Sequence, residues 1–233
     1  MTTPSQKPPQ EGDYKKFEEA RWSIKNQKLV FRHTAAYELL MKCGATSFLD
    51  VGCGDGIFEG YVAEHHPEIV ATGVDLSDVA IEKARTQFPS ATFVLGDATT
   101  GGLSFEDASF DVVIALDVLE HLFVPQDLLR EMKRVSKKHI IVGVPNFSSF
   151  PARLQMLFGR TPENNRPKKG HAYWFNYVIL TKLLTENGFL VEEIKINYQL
   201  MRYPLVGTLI GRLAHLFPNL LALSFVVRAR KNS

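Results

Sequence analysis

The sequence predicts a doubly wound α/β sheet of seven strands with helices on both faces, and three observations carry that expectation. Short apolar runs bounded by turn residues alternate with helix-period segments. The runs show little polar alternation, as strands covered on both faces do. A glycine triplet stands where the first run gives way to a helix.

Taken in order, a helical pattern over about 15–43 ends at Gly44, with Ala36, Leu39 and Leu40 on one face. Strands follow at Ser47 to Val51, Ile69 to Val74, Thr92 to Leu95, Phe110 to Leu116 and His139 to Val144. Helices are expected between them at Ile57 to His65, Asp78 to Phe88 and Pro125 to Val135, with Ser77 as an N-cap. After Asn146 about thirty residues lack the alternation, and so long a loop usually covers a site. A helix from Tyr177 to Asn187, closed by Gly188, leads to strands at Phe189 to Ile196 and Leu223 to Arg230. The segment Met201 to Leu221 carries Leu205, Leu209, Leu213 and Leu216 at helical spacing. That face either packs on the body or forms a lipid-facing or dimer surface, so peripheral membrane contact stays open.

Residues 1–12 are polar and Pro-rich and read as a disordered tail, leaving 13–233 as one domain in which 146–175 and 199–222 cover a substrate. The chain has 233 residues, 27 Lys+Arg and 25 Asp+Glu, a net charge of +2 that implies no strong field for nucleic acid. Cys43 and Cys53 form neither a disulfide framework nor a CxxC metal pair, which fits a reduced, cytoplasmic setting. Arg212, His215 and Pro218 interrupt the most apolar stretch, so no transmembrane segment is expected. Oligomeric state is not legible.

The functional signal starts at Asp50-Val51-Gly52-Cys53-Gly54-Asp55-Gly56. A dinucleotide fingerprint would put its third glycine at position 57; here it comes one residue early, and Ile57 takes that place. Asp50 and Asp55 flank the loop, which would repel a pyrophosphate but suits the ammonium of an amino-acid ligand. Asp75, 25 residues beyond Asp50, ends the second strand, where a carboxylate can accept both hydrogens of a ribose diol. Asp97 follows the third strand and can meet an adenine amino group, with the Ala98 N–H offered to a ring nitrogen. Asp117 ends the fourth strand. Each acid alone could be a cap or turn residue; four in order along one sheet edge point to a ligand.

These residues resemble the class I S-adenosylmethionine-dependent methyltransferases, by motif over Ser47 to Val144 and by pattern to the C-terminus. The resemblance implies a Rossmann-like sheet of order 3-2-1-4-5-7-6, mostly parallel with the last strand antiparallel. It implies S-adenosylmethionine as cofactor, with Asp50, Gly52, Cys53 and Gly54 along the methionine part, Asp75 and Leu76 at the ribose, Asp97 and Ala98 at the adenine, and Asp117 near the methyl. Arg32, 18 residues before Asp50, stands where ubiquinone-pathway O-methyltransferases carry an arginine for the donor's carboxylate.

The run Asp117-Val118-Leu119-Glu120-His121 is similar to the ExxEH element of ubiquinone-type O-methyltransferases and of small-RNA 3′-terminal 2′-O-methyltransferases, with Asp in place of the first Glu. That likeness brings in a divalent metal, Mn²⁺ or Zn²⁺ rather than Mg²⁺, with His171 as a further ligand. The shorter Asp117 leaves the metal open. The competing reading makes His121 the catalytic base, with Glu120 second. Val144-Pro145-Asn146-Phe147, with Arg153-Leu154-Gln155 and Gly159-Arg160, resembles the methionine-biosynthesis W proteins linked to homoserine acylation. The expected activity is therefore methyl transfer to an O or N atom of a small molecule. The alternatives are an RNA methyltransferase and a non-catalytic regulator of an acyltransferase.

Overall fold

The computed structural model describes Lys15, Glu19, Trp22 and residues 28–97, 102–163, 166, 170–198 and 204–232. The seven expected strands form one sheet: β1 (Ser47–Val51), β2 (Val70–Asp75), β3 (Thr92–Leu95), β4 (Phe110–Leu116), β5 (Ser136–Pro145), β6 (Phe189–Tyr198) and β7 (Ala222–Lys231). Its order is β3-β2-β1-β4-β5-β7-β6. β1 to β5 pair in parallel, while β7 runs antiparallel between β5 and β6. The parallel crossovers are supplied by α2 (Ile57–His65), α3 (Asp78–Gln87) and α4 (Pro125–Val135), with α1 (Phe31–Met41) leading into β1.

Side chains alternate across the pleat and so divide one sheet between two cores. Phe48, Val112, Ile114 and Ile141 face α1 and α2 and meet Leu39, Leu40, Phe58 and Val62. Leu49, Val113, Ala115 and Ile140 face the other way, into a larger cluster. There Leu128, Leu129, Met132 and Val135 of α4 are buried, the spacing of one helical stripe. The helix α6 (Tyr177–Glu186) adds Leu180, Leu183 and Leu184 to the same cluster.

Ser77 caps α3 as expected, its Oγ accepting the Ala80 N–H at 3.3 Å. Two expectations need correction. The first helical pattern is interrupted: residues 28–30 are not helical, Val30 is extended at φ −132°, and its N–H is taken by His33 Nδ1 at 3.2 Å, so α1 starts afresh at Phe31. The expected thirty-residue loop also contains a helix, α5 (Phe150–Leu157), begun at a Pro in its first turn and ended before Gly159 at φ 66°. Phe150, Leu154 and Leu157 have helical spacing, but they point into solvent. The segment after Met201 is helical as expected, as α7 (Pro204–Leu216) and α8 (Pro218–Leu221). The side chains of Leu205 and Leu209, the expected tail at 1–12 and Ala98 lie outside the described residues.

Candidate functional site

In an open parallel sheet the ligand crevice lies beyond the carboxyl ends of the strands, where chain connections diverge to either side. Here β1 stands between β2 and β4, and the segments leaving all three bring the candidate residues to that edge. The glycine loop follows β1 and takes positive φ at Gly52 (79°), Gly54 (59°) and Gly56 (76°), which L side chains adopt only with strain. Much of the loop's hydrogen-bonding capacity is used internally. Gly52 and Cys53 donate to the Val74 carbonyl at 2.7 and 3.2 Å. Gly54 donates to Asp75 Oδ2 at 2.9 Å, and Ser77 donates to Asp75 Oδ1, also at 2.9 Å. Asp75 therefore joins two loops.

The three glycines have different tasks. A Cβ on Gly52 would come within 2.5 Å of Val118 Cγ2, so that position holds the loop close to the chain leaving β4. A Cβ on Gly56 would meet Phe93 and Ala84, so the third glycine serves helix–sheet packing. Cys53 points beneath the loop, buried with Ile81, Ala84 and Phe93.

Four acids are buried around this loop: Asp50, Asp55, Glu59 and Asp75. Burial pushes the Asp50 carboxyl up to about 8; the negative Asp75 adds to that rise and the positive Arg32 opposes it. Burial likewise drives Glu59 well above the ordinary range, reinforced by the charge of Asp50. The cation reaches the edge from α1, where Arg32 Nη1 lies 3.3 Å from Asp117 Oδ2. Asp117 has φ 57°, an uncommon backbone state for a non-glycine residue, and its N–H donates to the Gly143 carbonyl at 2.9 Å. Leu76 and Asp97 are half-buried at the same edge, after β2 and β3.

Beyond Asp117 the chain makes a single 3₁₀ turn, Leu119–His121. The Glu120 carbonyl accepts the N–H groups of Ala172 and Tyr173 at 2.8 and 2.9 Å, which fastens the 170–175 segment over the turn. His121 Nδ1 lies 3.1 Å from the Gly170 carbonyl. A carbonyl can only accept, so Nδ1 carries the hydrogen and Nε2 is the acceptor nitrogen of the neutral ring. The His171 ring meets that of His121 edge-on, with centroids 4.8 Å apart. One ligand atom from each of Glu120, His121 and His171 falls within 4.8 Å of the others, a spacing that could hold a metal ion. The fourth residue of the sequence-based set, Asp117, pairs with Arg32 instead.

A family model described as a methyltransferase domain matches residues 49–142, the stretch from the glycine loop to β5. A probable S-adenosylmethionine-dependent methyltransferase of Mycobacterium tuberculosis is 32% identical over 160 residues, covering 68% of this chain and 54% of the relative. A similarly named protein of Mycolicibacterium smegmatis is 30% identical over 164 residues, 70% of this chain and 59% of that one. The chain belongs to the class I S-adenosylmethionine-dependent methyltransferases. It spans about half the length of the relatives it matches. Among solved structures, magnesium protoporphyrin IX methyltransferase of Synechocystis, with bound SAH, has the same fold at TM-score 0.64, with 16% identity and 93% and 94% of the two chains covered.

One buried acid at this edge escaped the sequence reading. Glu59 sits in a segment that reads as an ordinary amphipathic helix, yet its side chain is fully buried beneath the ligand loop. The signal was available in Gly73: a Cβ there would lie 2.8 Å from both Glu59 Oε1 and Cys53 Sγ, so the second strand needs a glycine where those two side chains cross it.

Proposed function

We propose that this chain binds S-adenosylmethionine across the ends of β1, β2 and β4 and transfers its methyl group to an oxygen or nitrogen atom of a small molecule held beneath residues 146–175. The observation that carries the reading is the placement of polar groups at one edge: Asp50, Asp75 and Asp97 at or after the ends of β1, β2 and β3, with Arg32 beside Asp117, around a loop whose N–H groups are largely used internally. A pyrophosphate would find few N–H donors left in that loop, whereas a ligand with an ammonium, a diol and one carboxylate can use the carboxyl oxygens as acceptors and Arg32 as its cation. Asp50 and the Gly52–Gly54 backbone would line the amino-acid part, Arg32 its carboxylate, Asp75 the diol with Leu76 beside it, and Asp97 the adenine.

Bound there, S-adenosylmethionine supplies a methyl group already activated on a sulfonium. The chain's own task is alignment, which can contribute about 7 to 11 kcal/mol, and removal of the acceptor's proton. His121 is suited to that second task. Its Nδ1–H is held by the Gly170 carbonyl, so Nε2 can take a proton from an acceptor hydroxyl or ammonium while the ring stays oriented. Glu120 is buried beside it, and its carbonyl fixes the covering segment. The free thiols Cys43 and Cys53 support a reducing compartment such as the cytoplasm.

Calorimetry with S-adenosylmethionine and S-adenosylhomocysteine tests the first step, and a tritiated-methyl assay against small-molecule, lipid, RNA and protein fractions tests the second. Absence of binding would end the cofactor assignment. His121→Gln should leave donor affinity within about threefold and lower turnover roughly 10²- to 10⁴-fold.

A second reading is favoured by the Glu120, His121 and His171 cluster, in which a divalent ion rather than the imidazole would activate the acceptor. Metal analysis of the purified protein with and without His171→Ala separates the two. Stoichiometric Mn²⁺ or Zn²⁺ that the variant loses supports the ion.

A further inference from the structure

Two segments at the ligand edge present apolar side chains to solvent and contain no carboxylate. In α5 and its exit Leu157 is 78% exposed and Phe158 71%; at the end of α7 Leu216 is 72% exposed and Phe217 58%. Neither 146–161 nor 194–233 contains an Asp or Glu, while Arg153, Arg160 and Arg212 stand exposed among the apolar residues. Surface helices of soluble domains normally turn a polar face outward, so contiguous exposure of this kind marks an interaction site.

The two segments meet at one junction. Asn146 Nδ2 donates to the carbonyls of Pro218, Asn219 and Ala222 at 3.4, 3.2 and 2.7 Å, and Ser148 Oγ donates to Asn219 O at 3.0 Å. Phe150 therefore leaves one side of this knot and Phe217 enters the other. The same face continues into the cover of the candidate site. Phe147 stacks on the half-exposed Trp174 with ring centroids 5.1 Å apart, and Trp174 directly follows the Ala172–Tyr173 pair held by Glu120. Among the described residues no helix is long and apolar enough to cross a membrane.

We propose that this face docks on an anionic bilayer surface, with α5 and the α7–α8 corner set among the headgroups so that the mouth of the site opens toward the membrane. Exposed aromatic and aliphatic residues interspersed with arginine match the composition of interfacial helices. Basic residues at such a surface are attracted by the negative leaflet. A second copy of the chain fits worse: an isologous contact would set arginines against arginines with no acid on either segment to offset them. The proposal does not depend on the methyl donor and is tested apart from it.

The experiment is co-sedimentation of the full chain with vesicles of phosphatidylcholine alone and of phosphatidylcholine mixed with phosphatidylglycerol, at low and at high salt. The expected result is binding to the anionic vesicles only, weakened by salt. Leu157→Glu with Phe158→Glu, and separately Arg160→Glu with Arg212→Glu, should each reduce the bound fraction roughly tenfold or more. Val70→Glu is the control, because Val70 is exposed at the opposite end of the strands. Failure of the unmodified protein to sediment with anionic vesicles overturns the proposal, and that arm needs no variant to fold. Equal losses in the Val70 control overturn it too. So does a dimer in light scattering that Leu157→Glu with Phe158→Glu converts to monomer, which would give the face to a second copy.

Discussion

Glu59→Gln offers a direct test of the buried acid pair beneath the ligand loop. Burial raises both Asp50 and Glu59 from their ordinary values of 3.8 and 4.5, Asp50 to about 8. Up to about pH 8 the folded protein therefore keeps a proton on Asp50 that the unfolded chain has released, and Glu59 is shifted in the same direction. The folded state binds more protons in that window, so stability falls as pH rises, by about 1.4 kcal/mol per pH unit for each proton retained. From pH 5 to 7 one retained proton costs about 3 kcal/mol. Glutamine keeps the shape and removes the titration of one member. The difference in unfolding free energy, variant minus parent, should thus increase as the pH rises from 5 to 7, whatever its value at pH 5. Urea unfolding of both proteins in steps across that range measures it. A difference that stays flat to within about 0.5 kcal/mol would refute the reasoning, since it would mean that Glu59 ionises in the fold as readily as in the unfolded chain.

The remaining expectations follow from single contacts. Asp75→Asn loses one of the two backbone N–H groups it now accepts, from Gly54 and Ser77, and should cost about 1 to 3 kcal/mol in urea unfolding, with at least a tenfold loss of donor affinity by calorimetry. Gly52→Ala combines φ 79° with a 2.5 Å approach to Val118 Cγ2 and should cost about 2 to 4 kcal/mol; adding Val118→Ala should recover the steric part and leave the backbone strain. Asp111→Ala should destabilise by about 2 to 3 kcal/mol at pH 7, because its carboxylate accepts from Thr46 N, Thr46 Oγ1 and Ser47 N and pairs with Lys137. Burial pushes the Asp111 carboxyl up, but the bonds from Lys137 and Thr46 outweigh it and hold the group well below the usual carboxylate range. That contribution is complete above about pH 4 and is lost as the pH falls below it, so the parent and the variant should converge in acid.

The strands were legible because a parallel sheet buries both faces, and runs such as Phe110 to Leu116 have no other use for seven consecutive mostly apolar residues. The acids at the strand ends were legible because the fold puts strand ends at the ligand edge. α5 was not, since its apolar residues face solvent and its sequence therefore looks like a loop with greasy positions. The roles of the loop glycines could not be separated either. Gly52 meets Val118, which lies 66 positions away, and Gly56 meets Phe93, so spacing alone could not tell ligand approach from packing. The pairing of Arg32 with Asp117 likewise depends on where α1 lies against β4, which no local pattern encodes.

The proposed division of the site explains why its donor side was readable and its acceptor side was not. Apart from Arg32 on α1, the residues proposed for the donor lie within or directly after strands, where hydrogen bonds from neighbouring strands fix the backbone, as Val74 and Asp75 fix the glycine loop. Their chemistry must match one ligand, so residue type and position carry the information together. The acceptor side is built from the 3₁₀ turn and from segments fastened to it by backbone groups, Ala172 and Tyr173 on the Glu120 carbonyl and Gly170 on His121. A backbone hydrogen bond constrains geometry without demanding a side chain. The cover can thus vary in sequence while holding His121 in one tautomer, and on the proposed reading the acceptor's identity resides in the side chains that this frame leaves unconstrained.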